Sequence, residues 1–139
     1  RELGVGRAQR PHDASTTRHQ QIVRGRRPAL VRALALAEVP VTATLAALKG
    51  RRIHGTIDRL IVSPDHVLAV DFKTNATVPA TPEATPDALL RQMGAYAHAL
   101  GEIYPDRRIE TALLWTRTAT LMRLPHDLVT RTLCDTLIA

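Results

Sequence analysis

Three charged side chains on two nearby stretches have the types and spacing that phosphodiester chemistry requires. Val70-Asp71-Phe72-Lys73-Thr74 closes an apolar run, Val67-Leu68-Ala69-Val70, with an acid and then a base. Alternate side chains of a strand share a face, so Asp71 and Lys73 point one way and Phe72 the other. Thirteen residues before Asp71, Gly55-Thr56-Ile57-Asp58-Arg59-Leu60 places a second acid in a second strand-like stretch. Phosphodiester hydrolysis needs an activated water, neutralised charge on the phosphate and a stabilised leaving oxygen, and a divalent cation supplies all three. Mg²⁺ takes one or two carboxylates, keeps several waters and binds the substrate phosphate directly. Asp58 and Asp71 suit that demand, with the backbone carbonyl of Phe72 as a third oxygen. Lys73 is placed to orient the attacking water or to stabilise charge developing on phosphorus. The bland alternative pairs Asp58 with Arg59 or Arg51 and makes Asp71 and Lys73 a strand-end salt bridge. The apolar run ahead of Asp71 and the second acid on a pairing strand weigh against it.

These residues need elements to hold them. Ser63-Pro64-Asp65-His66 has proline at the second position of a tight turn. It predicts that residues 53–62 and 66–73 form an antiparallel hairpin, which brings Asp58 to Asp71. Gly55 reads as a bulge or a point of close approach. Pro79 and Pro82 make 75–85 a loop. Thr85 then reads as a helix cap with Pro86 in first position. Leu89, Met93, Tyr96 and Leu100 follow at the spacing of one buried helical face, and the helix ends near Tyr104-Pro105. Strands are expected at 108–116, with Ala112-Leu113-Leu114-Trp115 buried, and at 120–124. A closing helix is expected at 127–138, with Leu128, Leu133 and Leu137 as its contacts and Cys134 as a small buried residue. Before the hairpin, 38–45 alternates as a strand, Lys49-Gly50-Arg51 is a turn, and Ala29–Ala37 behind Pro28 suggests a short helix. The order predicts an α/β fold, a mixed sheet flanked by helices, with a right-handed crossover after the long helix.

Bulk properties bound the reading. At 139 residues with 45% hydrophobic content, the chain supports one domain with a real core, and 3% aromatics make that core aliphatic. A single cysteine excludes an intrachain disulfide and suits a reducing setting, and no apolar run approaches a membrane span. Residues 1–36 hold eight arginines against Glu2 and Asp13, a surplus equal to the net charge of +6 for the whole chain. This Arg-rich segment, irregular or partly helical, either contacts phosphate backbone or is a solvated flank. The remainder, 37–139, is electrically balanced and carries the reaction centre. His54, His66, His98 and His126 share no metal-ligand spacing and read as surface or turn histidines, and Trp115 as a core aromatic.

The stretches Gly55 to Asp58, Val70-Asp71-Phe72-Lys73-Thr74-Asn75 and Gln92-Met93-Gly94-Ala95-Tyr96 together resemble the PD-(D/E)XK nuclease superfamily in its RecB-like branch. The resemblance implies a restriction-endonuclease-like fold in which Asp58, Asp71 and Lys73 hold the metal and catalyse cleavage. Gln92 and Tyr96, at i and i+4 on one helical face, would shape the site and contact DNA. Ala37-Glu38-Val39-Pro40-Val41, Leu90-Arg91-Gln92-Met93, Ile103-Tyr104-Pro105 and Ala112-Leu113-Leu114-Trp115-Thr116 further resemble the C-terminal nuclease domains of the AddA family, over roughly 37–139. That likeness implies a bacterial, cytoplasmic, exonuclease-type deoxyribonuclease using Mg²⁺ or Mn²⁺ in double-strand-break repair and recombination. DNA, an AddB-like subunit and a helicase portion would be its partners. No Gly-x-x-x-x-Gly-Lys-Ser/Thr loop is present, so the ATPase motor is not expected in these residues, which read as a C-terminal piece of a helicase–nuclease. Glu38 matches an acid that the family places ahead of Val-Pro, and His12 and His19 are candidates by position for the family's N-terminal helix. The competing function is a catalytically incomplete module that binds DNA or a partner subunit without cutting.

Overall fold

The computed structural model describes residues 33–135. Five strands form one sheet in the order β1-β2-β3-β4-β5: Leu34–Leu45, Arg51–Val62, His66–Lys73, Arg108–Trp115 and Thr120–Leu124. Helix α1 (Asp87–Ile103) lies between β3 and β4, and helix α2 (His126–Asp135) follows β5. All neighbouring strands are antiparallel except β3 and β4, which run parallel from His66↔Arg108 to Lys73↔Trp115. This is the mixed sheet with flanking helices that the sequence implied. The expected hairpin is present: β2 and β3 pair from Val62↔Val67 to Arg59↔Val70, and the Ser63 N–H donates to the His66 carbonyl at 2.8 Å across the turn.

Both helices pack into one aliphatic core with one face of the sheet. Ile57, Leu60, Val67, Ala69, Leu113 and Trp115 meet Met93, Tyr96 and Leu100 of α1, and Val129 and Leu133 of α2. Leu68, Val70 and Ala112 form a smaller cluster on the opposite face, with Ile61 and Leu114. The central strand β3 is thus apolar on both sides, which explains its unbroken run before Asp71. Gly94 lets the helices touch. A Cβ there would meet the Val129 carbonyl, a backbone atom that cannot swing aside. Gly94→Ala should cost about 1–3 kcal/mol through overpacking, visible as an earlier midpoint in chemical unfolding.

Several local expectations give way. From Leu34 onward the helix proposed for Ala29–Ala37 is strand: Leu34, Leu36 and Ala37 pair with Val62, Leu60 and Arg59. Pairing along β2 overrides the helical propensity of Ala and Leu. Helix α1 begins at Asp87 with Pro86 as its cap residue and no side-chain cap. Thr85 is instead buried, its hydroxyl facing the Met122 sulfur at 3.7 Å. Cys134 is exposed, since the buried stripe of α2 runs through Val129 and Leu133. Leu137, the helix end beyond 135, His12, His19 and the Arg-rich residues up to 32 lie outside the described residues. No helix among the described residues is long and apolar enough to cross a membrane.

Candidate active site

The β1–β2 ladder omits one position, Glu38 opposite Asp58, while keeping the same register on both sides. The core-facing residues change parity there. Leu36, Leu60 and Val62 face the core on one side of the gap, and Val39, Val41, Ile53 and Ile57 on the other. A regular strand alternates without interruption, so both strands are kinked at this pair. Glu38 has φ +50°, a left-handed conformation that a non-glycine residue adopts only when its surroundings enforce it. The kink releases Asp58 from regular pairing just where β2 and β3 part, after Arg59↔Val70.

Asp58 uses that freedom to bridge the gap. Its Oδ2 accepts the backbone N–H of Phe72 at 2.7 Å. The N–H and C=O of one strand residue point to the same side. The Phe72 carbonyl is therefore turned towards β2 as well, beyond the last paired residue. Asp71 is 5% exposed and faces α1 with Val67 and Ala69. Burial raises its carboxyl above the ordinary aspartate value of 3.8, Lys73 opposes the shift, and the nearby Asp58 carboxylate adds to it. Two acids crowded at one strand end, one of them buried, form a site that a divalent cation would relieve. The donor set fits such an ion: two carboxylates and one carbonyl, with water and a phosphate left to complete the shell. Among the described residues no cluster of three or more His, Cys, Asp or Glu side chains exists, so a cation here would depend on those non-protein ligands.

A chain of contacts runs from Asp71 across the sheet. Lys73 Nζ lies 2.6 Å from Asp71 Oδ2 and donates to Gln92 Oε1 at 3.2 Å. Gln92 Nε2 donates to Tyr96 Oη at 3.2 Å, and the Tyr96 hydroxyl donates to the Thr56 carbonyl at 3.2 Å. The main chain of Lys73 is held too, its carbonyl accepting from the Thr116 N–H at 2.9 Å and the Thr116 hydroxyl at 3.2 Å. The Asp71–Lys73 ion pair anticipated by the bland reading exists, but as one link in this network. Asp58, Asp71, Lys73, Gln92 and Tyr96 are all brought together, with the Phe72 carbonyl beside them.

Gly55 is the close-approach point that the sequence suggested, and the partner is Tyr96. A Cβ on Gly55 would lie 2.5 Å from Tyr96 Oη and 2.8 Å from its Cε1. Gly55→Ala should therefore push the phenol off the Thr56 carbonyl and loosen Gln92. The expected result is about a tenfold loss of kcat with the fold retained, because misplacing catalytic groups costs rate well before it costs stability. Circular dichroism and steady-state kinetics on the same sample check both halves. Other candidates stand apart. The His54 ring meets the Thr42 hydroxyl at 3.2 Å, and His66 meets Asp65 at 2.8 Å. His98 and His126 line a cavity of about 610 Å³ beside Arg108 and Ile109, at the end of β4 away from Lys73. Sequence reasoning missed the Phe72 N–H as the anchor of Asp58 and the Thr56 carbonyl as the anchor of Tyr96. Backbone groups carry no side-chain signature, and only the nearby glycine hinted at the second.

A sheet that presents two carboxylates and an ammonium at one strand end, backed by a helix, has the layout of a restriction-endonuclease-like core. The chain belongs to the PD-(D/E)XK nuclease superfamily, whose family model matches residues 3–127. No curated protein matches it in sequence. Among solved structures, a crystal structure of SSO0001 is similar at a TM-score of 0.42 and 14% identity, over 75% of this chain. The match spans half the length of that protein, 50% of its chain.

Proposed function

We propose that the chain is a Mg²⁺-dependent DNA nuclease domain of the AddA type, trimming DNA ends during double-strand-break repair. The observation that carries this reading is the meeting of Asp58, Asp71 and Lys73 where β2 and β3 part. In this reading Asp58, Asp71 and the Phe72 carbonyl hold the cation, and Mn²⁺ can replace Mg²⁺. When bound, that ion supplies charge neutralisation on the phosphate and an activated water. Lys73, fixed by Asp71 and Gln92, points its ammonium at the place where negative charge grows on phosphorus. Gln92 and Tyr96 set the reach of Lys73 and border the path of the strand. The AddA assignment draws on the Ala37–Val41, Ile103–Pro105 and Ala112–Thr116 likenesses. It implies an exonuclease-type domain in the bacterial cytoplasm, fed by a helicase portion outside these residues and partnered by an AddB-like subunit.

The test uses labelled single-stranded DNA with Mg²⁺, Mn²⁺ or EDTA, comparing the wild type with Asp58→Asn. The variant keeps an oxygen to accept the Phe72 N–H, so its fold should persist while cleavage falls by about a hundredfold or more. Salt-sensitive binding by the wild type with no metal-dependent cutting would instead identify a non-catalytic DNA-binding module.

A further inference from the structure

The catalytic strand leads directly into a pocket that the cleavage chemistry does not use. Its volume is about 400 Å³, and it is bounded by Asn75, Thr77, Pro79, Ala84, Pro86 and Trp115. Three observations tie it to the reaction centre and to a ligand. Trp115 is the register partner of Lys73, so the pocket begins one strand away from the ammonium. Trp115 is 1% exposed, and its indole Nε1 is buried with no hydrogen-bond partner. An unmet buried donor costs about 1–3 kcal/mol. Asn75 and Thr77 are exposed and make no side-chain hydrogen bonds within the described structure, which leaves an amide and a hydroxyl free at the rim. Between them, Pro79, Ala84 and Pro86 supply flat apolar wall.

We infer that this pocket seats one nucleobase of the substrate strand, the base adjoining the phosphate held at Asp71 and Lys73. The inference rests on the nuclease reading above and names the part of the substrate that this end of the site recognises. A nucleobase matches the chemistry of the walls: apolar faces to lie between proline rings and alanine, and an edge of donors and acceptors for Asn75 and Thr77. A phosphate or a free sugar would use the polar rim and leave the apolar walls bare. Seating the base fixes which phosphodiester bond lies over Lys73, so the pocket sets the position of the cut.

The experiment is an abasic scan. A single-stranded oligonucleotide with one mapped cut is made as a series, each member lacking one base, and incubated with the full chain and Mg²⁺. Removing the base next to the cut should slow cleavage at that bond about tenfold, and removing bases farther away should change it little. Ala76→Trp, at an exposed position on the same loop and at the pocket's edge, should raise KM about tenfold and abolish the difference between intact and abasic substrates. Asn75→Ala, which keeps the loop free of bulk, should reduce that difference without abolishing it. Uniform cutting across the scan, together with wild-type KM in Ala76→Trp, overturns the subsite while leaving the nuclease assignment standing. Absence of Mg²⁺-dependent cutting by the wild type overturns the assignment and the subsite with it.

Discussion

Asp71→Asn should lose cleavage about a thousandfold and yet be as stable as the wild type or more so, in metal-free buffer at pH 7. The buried Asp71 carboxyl holds its proton more tightly in the folded chain than in the unfolded one: burial raises its pKa above 3.8, Lys73 pulls it down, and Asp58 pushes it up again. With the folded pKa above the unfolded value, the protonated form is the stabilised one. Its contribution is present below the unfolded pKa and is lost as pH rises through the raised folded value. At neutral pH the ionised carboxylate is therefore a net cost to folding. Asparagine keeps the shape, offers an oxygen to Lys73 and carries no charge to desolvate. Thermal melts across pH separate the two forms. The wild type should lose stability relative to Asp71→Asn on going from pH 4 to pH 7, and adding Mg²⁺ should recover part of it in the wild type alone, because a ligand that binds only the folded state stabilises it. A metal-free Asp71→Asn protein that melts well below the wild type at pH 7 would mean that the acid is held for structure and not for a cation. On the same grounds, Mg²⁺ affinity should weaken as pH falls into the raised titration range of Asp71.

How much of this was legible in the sequence follows from where each part of the fold gets its instructions. The β2–β3 hairpin was readable because its turn chemistry is local: Ser63 to His66 specify the turn, and Val67 to Val70 specify a strand buried on both faces. Tyr96 was readable because a helix repeats its faces at fixed spacing, and Gln92 through the Gln-x-x-x-Tyr resemblance that it shares with Tyr96. The first third of β1 was not, because Leu34 to Ala37 become strand only by pairing with Arg59 to Val62. Nor was the kink at Glu38 and Asp58. Periodicity assumes that a strand keeps one face inward, and here both strands exchange faces at the Glu38 and Asp58 position. The sequence marked Asp58 as a candidate acid. What holds it there, an interrupted ladder and a backbone N–H from Phe72, is a property of three strands together.

Lys73→Ala should lower kcat by about 10²–10³, and the neighbours of Lys73 should matter mainly through it. The ammonium has two tethers, Asp71 Oδ2 at 2.6 Å and Gln92 Oε1 at 3.2 Å, and Gln92 is itself held by Tyr96. Gln92→Ala removes the second tether and leaves Lys73 held by Asp71 alone, where it competes with the cation for that oxygen. Tyr96→Phe leaves Gln92 in place but cuts its link to the Thr56 carbonyl. Each single change should cost about tenfold in kcat, with Tyr96→Phe the milder, and both should raise the Mg²⁺ concentration needed for half-maximal rate. The combination is the informative measurement. If Gln92 and Tyr96 act by positioning Lys73, then Gln92→Ala in a Lys73→Ala background should have almost no further effect, a coupling as large as the single-variant loss itself. If they touch the strand independently, the losses multiply, and the excess appears in KM rather than in kcat. Lys73→Arg provides the control. It retains the charge but cannot reproduce a single-point ammonium between Asp71 and Gln92, and should recover less than a tenth of the wild-type rate, since arginine's planar fork and lysine's compact charge are not interchangeable at so tight a contact.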